Sequence, residues 1–280
     1  MPLTTTGELV TRAHAAHTAV AAFNIVALEH VEAVVAGAEA AGVPVVLQIS
    51  ENAVAFRQGQ VLPLARAAAV AAEQALVPVA LHLDHVRSDL LLGQAAEAGF
   101  SSVMYDASRL PYEANLAATR SAVERAHAQG LWIEAELGEI GGKGAHVAGA
   151  RTDPAEARAF VAGSGVDALA VAVGSVHAMT ARTAALDHGL IGRLGAALDV
   201  PLVLHGSSGV PDHELRAAVA GGIAKVNIGT ALNQAMTGAV RAHLAAHPDV
   251  VDARRYLAAG REAMAHAVER IVAGAGLTAG

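Results

Sequence analysis

Eight short apolar runs alternate with longer alanine-rich runs along almost the whole chain, and this alternation limits the possible folds more than any other feature. The apolar runs have no polar face, which is typical of strands in a parallel sheet that is covered on both sides. The predicted strands are residues 18–25, 43–50, 78–83, 101–106, 131–137, 168–173, 201–205 and 224–228.

The alanine-rich runs have the length and composition of helices. They predict helices at residues 29–41, 62–75, 88–98, 111–129, 154–164, 189–198 and 212–220, followed by a helical extension over about 232–273. Eight strands that alternate with helices predict an α/β fold of the (β/α)8 TIM-barrel type, with residues 1–280 as a single domain. The alternative is an open doubly wound sheet. It often carries a glycine-rich loop after its first strand, whereas Phe23-Asn24-Ile25 stands there.

Composition excludes several classes of protein. The 280 residues include no cysteine, so a disulfide scaffold and a thiolate site are excluded, and any metal must be bound by His, Asp, Glu or backbone. The net charge is −7 and the only lysines are Lys143 and Lys225, which argues against nucleic acid as a partner. The chain has no apolar run long enough to span a membrane and no signal-peptide pattern, so we expect a cytoplasmic protein.

Polar side chains cluster where the predicted strands end. In a (β/α)8 barrel the carboxyl ends of all the strands meet at one face, where the chemistry takes place. The polar residues at these ends are Asn24; Gln48, Ser50 and Glu51; His82, Asp84 and His85; Asp106 and Ser108; Glu134, Glu136 and Glu139; Ser175 and His177; His205, Ser207 and Ser208; and Lys225, Asn227 and Thr230.

Three of the histidines predict a metal site. His85, His177 and His205 follow different strands, and three histidine ligands without cysteine suit a catalytic Zn²⁺ that keeps an open position. His82 precedes them on the third strand and is a candidate supporting residue. Asp84 stands beside His85, where a carboxylate can serve as general acid and base, or merely cap the strand end.

Two glycine-containing turns predict a phosphate site. The turn at 204–209 follows the seventh strand, and Asn227-Ile228-Gly229-Thr230 follows the eighth. The loops after these two strands often bind phosphate through backbone N–H groups in barrel enzymes.

Several segments resemble the class II fructose-bisphosphate aldolases, and their spacing resembles most the tagatose-bisphosphate (ketose-bisphosphate) branch of that family. The resemblance runs in order over nearly the whole chain and combines the motif Leu81-His82-Leu83-Asp84-His85 with a later histidine and a Leu-His-Gly turn. The matching segments are residues 22–25, 81–85, 99–108, 134–138, 165–174, 201–206 and 225–228.

This resemblance implies a zinc-dependent aldolase that reversibly cleaves a phosphorylated ketose, such as fructose or tagatose 1,6-bisphosphate, to dihydroxyacetone phosphate and an aldehyde. It implies His85, His177 and His205 as zinc ligands and Asp84 as the acid/base. Asp106 and Glu136 match acids around the metal or at an alternative position, so a second metal or a monovalent cation is also possible.

The resemblance also implies the substrate pocket and the assembly. Family members are typically homodimers or homotetramers, and Arg254 matches an arginine that contacts the distal phosphate from the partner subunit. Arg182 occupies the position of a lysine in the family, and we count Arg182 among the predicted substrate residues. The other implied substrate and phosphate residues are Asn24, Ser50, Gly206, Ser208, Asn227, Gly229 and Thr230.

The chain departs from the family at the loop after the fifth strand. The family has Gly-Gly-x-Glu-Asp there, and its Glu moves the carbon-bound proton, whereas this chain has Gly144 and Ala145 at the two acidic positions. Glu139, Lys143 and His146 are candidate substitutes. Outside the loop, Ala178 replaces the glycine after a ligand histidine, and Ala231 replaces an acid after the last-strand threonine.

Three alternatives stay open at this point. A Schiff-base aldolase would use Lys225, the one lysine on a predicted strand. A metal-dependent sugar-phosphate isomerase or epimerase could use the same site without breaking a C–C bond. A non-catalytic sugar-phosphate-binding paralogue would account for the missing loop acids.

Overall fold

The computed structural model describes residues 2–138 and 151–277. Eight parallel strands pair in chain order and close into a barrel, which confirms the predicted (β/α)8 fold. The strands are β1 (Val20–Asn24), β2 (Val45–Ser50), β3 (Val79–Val86), β4 (Ser102–Tyr105), β5 (Trp132–Leu137), β6 (Ala168–Val171), β7 (Leu202–Leu204) and β8 (Ile223–Ile228).

The described helices form a layer around the barrel. They are α1 (Thr6–Ala15), α2 (Leu28–Ala41), α3 (Glu51–Phe56), α4 (Leu62–Gln74), α5 (Asp89–Ala98), α6 (Tyr112–Ala128), α7 (Pro154–Ser164), α8 (His188–Ala197), α9 (Asp212–Ala220), α10 (Thr230–Ala246) and α11 (Ala253–Ala275). Their apolar faces pack on the strands, and the core between the two layers is built almost wholly from Ala, Val, Leu and Ile. None of these helices combines the length and apolar character of a membrane span.

The sequence did not predict α1 and α3. Helix α1 begins with a capping box between Thr5 and Glu8, and it buries Leu9 and Val10 against the strands at the amino end of the barrel. Helix α3 is a short helix after β2, and the Ser50 side chain caps it by accepting a hydrogen bond from the Ala53 N–H group. Helix α3, with six residues, is too short to show a clear period in sequence.

The predicted helical extension is two helices instead of one. Helix α10 ends at Ala246, and α11 begins at Ala253 with Asp252 as its cap. Pro248 explains the break, because a proline disfavours helical geometry in the residue before it. His247 accordingly leaves the helical region, with φ −133° and ψ 69°.

Strand β3 extends beyond its predicted end at residue 83. It continues to Val86, and its register against β4 shifts between Leu83 and Val86. The irregularity is a bulge, which re-aims side chains where it occurs. Asp84 and His85 therefore lie within the bulged end of a strand, and His85 takes a left-handed backbone conformation with φ 52°.

Candidate active site

Three histidines meet at the carboxyl end of the barrel. His85 lies at the end of β3, His205 directly follows β7, and His177 lies in the segment after β6. One nitrogen of each ring lies within 4.8 Å of the others. The ring centroids are 5.0 to 5.7 Å apart, and the ring planes are inclined by 71 to 77°. This arrangement presents three imidazole nitrogens to a common point, as the sequence predicted.

Two of these rings are hydrogen-bonded to carboxylates through one ring nitrogen each. His85 Nδ1 lies 3.0 Å from Asp106 Oδ2, and His205 Nε2 lies 2.7 Å from Glu134 Oε1. Because an ionised carboxylate only accepts hydrogen bonds, each ring donates through that nitrogen and keeps the other as a potential ligand. His205 Nδ1 is buried and makes no hydrogen bond within the described residues, which is what a metal-binding nitrogen requires.

Asp106 and Glu136 lie beside the histidine cluster. Burial alone would raise the pKa of Asp106, but hydrogen bonds from His85 and Ser108 outweigh it and hold that pKa far below its ordinary value. Asp106 is thus an ionised partner of His85. Glu136 is buried, with Oε2 3.6 Å from His205 Nδ1. Direct metal binding by these two acids stays a prediction.

Asp84 is held in place by a chain of amides. Its side chain is almost completely buried, and its Oδ2 accepts a hydrogen bond of 2.9 Å from Asn24 Nδ2. Asn24 Oδ1 in turn accepts one of 3.1 Å from Gln48 Nε2. The chain runs across β1, β2 and β3, so the positions of Asn24 and Asp84 are both fixed by the strands.

One cavity of about 220 Å³ unites most of the predicted site. It is open to solvent, and two histidines of the cluster, His85 and His177, lie on its wall together with Asp84. Asn52 and Asn233 also line it, and the sequence did not single them out. The predicted residues on its wall are Asn24, Ser50, Asp84, His85, His177, Gly206, Ser208, Asn227, Gly229 and Thr230.

The predicted phosphate site forms a wall of this cavity. After β7 the chain turns through Gly206, with φ 67°, into a short 3-10 helix at Ser207–Gly209. Ser208 Oγ accepts a hydrogen bond of 3.2 Å from the backbone N–H of Ala231, in the first turn of α10. The turn and the N-terminus of α10 therefore adjoin, and backbone N–H groups at such a position favour an anion.

The phosphate turn packs directly on the segment that carries His177. A Cβ on Gly206 would lie 2.7 Å from Val176 C and 3.0 Å from His177 N, and one on Gly209 would lie 2.4 Å from Met179 Cβ. Only glycine permits such close backbone approach. The two segments thus form one packed unit that links the phosphate site to the metal ligands.

We expect Gly206→Ala to lower the free energy of unfolding by more than Gly42→Ala. Both positions have the same backbone conformation, with φ 67° and 68°, but a Cβ on Gly42 would meet nothing within 4 Å. The control therefore loses at most the roughly 1–2 kcal/mol that a left-handed conformation costs an L residue. Gly206→Ala must also displace backbone, which weakens inorganic phosphate binding. Equal losses in urea unfolding would contradict the close packing.

Ala178, which replaces a family glycine, has φ 61°. A left-handed conformation destabilises an alanine by roughly 1–2 kcal/mol. A glycine removes this strain but loses more conformational entropy on folding, which offsets about 0.5–1 kcal/mol of the gain. We therefore expect Ala178→Gly to raise the urea midpoint slightly. Gln58→Gly is the matched control, since Gln58 has φ 59° and is exposed. If Ala178→Gly lowers the urea midpoint while Gln58→Gly raises it, the claim that the Ala178 backbone is strained would be wrong.

The two predicted arginines lie outside this cavity. Arg182 donates to the Val210 carbonyl and forms an ion pair with Asp212, and it lines a neighbouring cavity of about 440 Å³ that shares Ser207 and Ser208. Arg254 is 91% exposed and pairs with Asp252 at the start of α11. Their roles toward phosphate stay predictions. Glu139, Lys143 and His146 lie outside the described residues.

The barrel interior beneath the histidines holds charges whose pairing the sequence did not predict. Lys225 Nζ donates to Glu134 Oε2 at 2.8 Å, and both side chains are completely buried. Burial, reinforced by the nearby charge of Lys225, lowers the pKa of His82 to about 3, so that ring is neutral. His82 bonds to Ser102 at 2.7 Å instead of to a proposed ligand. The Glu-x-Glu alternation on β5 was the available signal, because it places Glu134 on the same strand face as Glu136.

Comparisons with known proteins agree with this geometry. A sequence model of the family described as fructose-bisphosphate aldolase class-II matches residues 4–278. The chain is 39% identical to a probable fructose-bisphosphate aldolase of Bacillus subtilis (strain 168), over 96% of this chain and 95% of that protein. It is 38% identical to the fructose-bisphosphate aldolase of Geobacillus stearothermophilus, over 94% and 93%.

A solved structure agrees as well. The crystal structure of the YdjI aldolase from Escherichia coli K12 is 32% identical and superposes with a TM-score of 0.85, covering 98% of this chain and 97% of that one. The barrel, the site at its carboxyl end and the sequence matches over nearly the whole chain lead to one conclusion. The chain belongs to the class II fructose-bisphosphate aldolase family, a family of aldehyde-lyases.

Proposed function

We propose that the protein is a zinc-dependent aldolase that reversibly cleaves a phosphorylated ketose to dihydroxyacetone phosphate and an aldehyde. One observation carries the proposal: a cluster of three imidazoles, two of which line the cavity, lies across from a glycine-serine turn on the wall of the same cavity. Fructose and tagatose 1,6-bisphosphate are the candidate substrates. A single domain over 1–280, a cytoplasmic location and assembly as a homodimer or homotetramer belong to the same proposal.

The donor set fits zinc. Three imidazoles, with a buried His205 Nδ1 that makes no hydrogen bond in the described part of the chain, are the ligands that catalytic zinc sites use. Asp106 and Glu134 orient two of the rings through their far nitrogens. When bound, the metal supplies Lewis-acid stabilisation of the negative charge that develops on the carbonyl oxygen of the ketose.

Asp84 is the proposed acid/base for the hydroxyl proton. In the cleavage direction its carboxylate takes the proton from the hydroxyl on the carbon that becomes the aldehyde, and in synthesis it returns that proton. Its wall position in the cavity and its hydrogen bond from Asn24 support the role, because a general base must lie within hydrogen-bond reach of its proton.

The phosphate of the dihydroxyacetone phosphate half is proposed to lie against Gly206, Ser208, Gly229 and Thr230. These residues line the cavity beside the N-terminus of α10, where backbone N–H groups carry partial positive charge. Asn227 Nδ2 and Oδ1 are buried at the cavity and have no hydrogen-bond partner among the described residues, so this amide is available to a substrate oxygen.

The missing loop acids leave two alternative functions to be tested. With Gly144 and Ala145 at the acidic positions, the proton of the carbon next to the carbonyl needs another carrier. A sugar-phosphate isomerase or epimerase, or a non-catalytic binding protein, would use the same cavity. The Schiff-base alternative is not favoured by the geometry, because Lys225 is completely buried and paired with Glu134.

A substrate panel tests the proposal. Purified protein is incubated with ketose mono- and bisphosphates, with and without chelator, and dihydroxyacetone phosphate release is measured by a coupled assay. We expect release from at least one bisphosphate and none after chelation. Interconversion of the sugars without release would favour an isomerase or epimerase. Zinc binding without turnover of any sugar would favour the binding protein.

A further inference from the structure

We propose that Lys225 is a positioning residue for the metal centre, because it anchors Glu134 so that Glu134 in turn sets which nitrogen of His205 is free to bind metal. The inference rests on the proposed function, since it concerns the same centre. It gives a role to the buried lysine on β8, which does not line the cavity and donates its hydrogen bond to Glu134.

The argument begins with the carboxylate. Both oxygens of Glu134 are engaged inside the barrel: Oε2 accepts from Lys225 Nζ at 2.8 Å, and Oε1 faces His205 Nε2 at 2.7 Å. All three side chains are completely buried. A buried carboxylate is retained only when its oxygens are hydrogen-bonded and its charge is paired, and Lys225 supplies the pairing charge.

The second step concerns the imidazole. A neutral histidine carries its proton on one nitrogen only, and the hydrogen bond made by one nitrogen decides the state of the other. Since Glu134 Oε1 accepts, the proton is on His205 Nε2, and Nδ1 keeps the lone pair that a metal needs. Nδ1 is the atom that is buried without a hydrogen bond in the described part of the chain.

Lys225 holds one oxygen of Glu134 and thereby keeps the other oxygen against His205. With an amide at position 134, Lys225 would also decide which end of the side chain faces the histidine. An ammonium can only donate, so it always binds an oxygen. In Glu134→Gln, Lys225 would bind the amide oxygen and turn the NH₂ group toward His205 Nε2. That nitrogen would then have to accept, the proton would move to Nδ1, and the metal-binding lone pair would be lost.

The test is a double-mutant cycle on zinc affinity, measured by competition with a chelating dye. We expect Lys225→Met and Glu134→Gln each to weaken zinc binding by about 10–100-fold, the usual effect of losing an outer partner of a metal ligand. In the double variant no ammonium holds the amide, so it is free to turn its oxygen to His205. The double variant is therefore expected to bind zinc more tightly than Glu134→Gln, which is a non-additive result.

A second readout follows the proton directly. In metal-free protein, the imidazole ¹⁵N chemical shifts of His205, identified by their loss in His205→Ala, are expected to show Nε2 protonated. In Lys225→Met the carboxylate of Glu134 is no longer anchored against Nε2, so we expect the shifts to show both tautomers instead of Nε2 protonated alone. Ser102→Ala is the matched control: it removes the hydrogen-bond partner of His82 inside the same barrel but leaves both hydrogen-bond partners of Glu134, Lys225 and His205, in place, so it should alter neither zinc affinity nor the His205 shifts.

The outcomes separate this inference from the proposed function. If the unmodified protein binds no zinc, the proposed function fails and the inference fails with it. If the unmodified protein binds zinc but Lys225→Met binds it equally well, or if losses in the cycle are simply additive, Lys225 serves only to fill the barrel and the inference alone is overturned.

Discussion

Asp84→Asn is expected to reduce the rate of ketose bisphosphate cleavage by roughly 10²–10⁴-fold, the usual contribution of a positioned general base. The asparagine keeps the shape of the side chain and can still accept the hydrogen bond from Asn24 through its oxygen. It cannot take a proton from the substrate hydroxyl. Steady-state kinetics with the preferred ketose bisphosphate, read by dihydroxyacetone phosphate release, measures the effect.

Zinc content provides the control for this variant. The three histidines remain in place, so Asp84→Asn should retain as much zinc as the unmodified protein. A variant that loses its zinc would show that Asp84 is needed for metal binding, and a variant whose turnover is unchanged would contradict the assignment of the acid/base.

His177→Ala is expected to abolish tight zinc binding and with it the cleavage activity. His177 is the best of the three histidines to remove, because it is partly exposed, whereas His85 and His205 are buried and bonded to carboxylates. Its loss leaves two imidazoles, one fewer than the protein ligands that catalytic zinc sites use. We therefore expect His177→Ala to bind zinc more weakly than Lys225→Met or Glu134→Gln, which keep all three histidine ligands.

His213→Ala is the matched control for that loss. His213 lies on α9, its side chain is 71% exposed, and it is not one of the three clustered histidines. This variant should bind zinc and cleave substrate like the unmodified protein. Undiminished cleavage by His177→Ala would show that the histidine cluster is not the catalytic centre.

Much of the site could be predicted from sequence because parallel strands bring their carboxyl ends together. Once eight strands are counted, residues as distant as Asn24, His85 and Asn227 are expected at one face, and the structure places all three on one cavity. The prediction needed only chain order and strand ends, which local patterns carry well.

Contacts across the barrel could not be predicted in the same way. The pairing of Glu134 on β5 with Lys225 on β8 depends on barrel register and on side chains that point inward at the same depth, and neither is a local property. The bulge that re-aims His85 has no signal in the sequence Leu83-Asp84-His85, and the break between α10 and α11 was visible only as Pro248.

The arginines show a third limit. Arg182 was assigned by its position in a motif, but its guanidinium lies against Val210 and Asp212, in the cavity next to the predicted site. Motif spacing predicts the backbone position of a residue with a long side chain. It does not give the direction that side chain takes, because several acceptors lie within the reach of a flexible arginine.

The central claim is that cleavage depends on one zinc held by His85, His177 and His205. The direct measurement removes all metal from the purified protein with a chelator, returns zinc in steps, and follows dihydroxyacetone phosphate release from the preferred ketose bisphosphate. The account predicts no release without metal and full recovery at one zinc per chain. Full release from the metal-free protein, with a covalent substrate adduct trapped on Lys225 by borohydride, would contradict it.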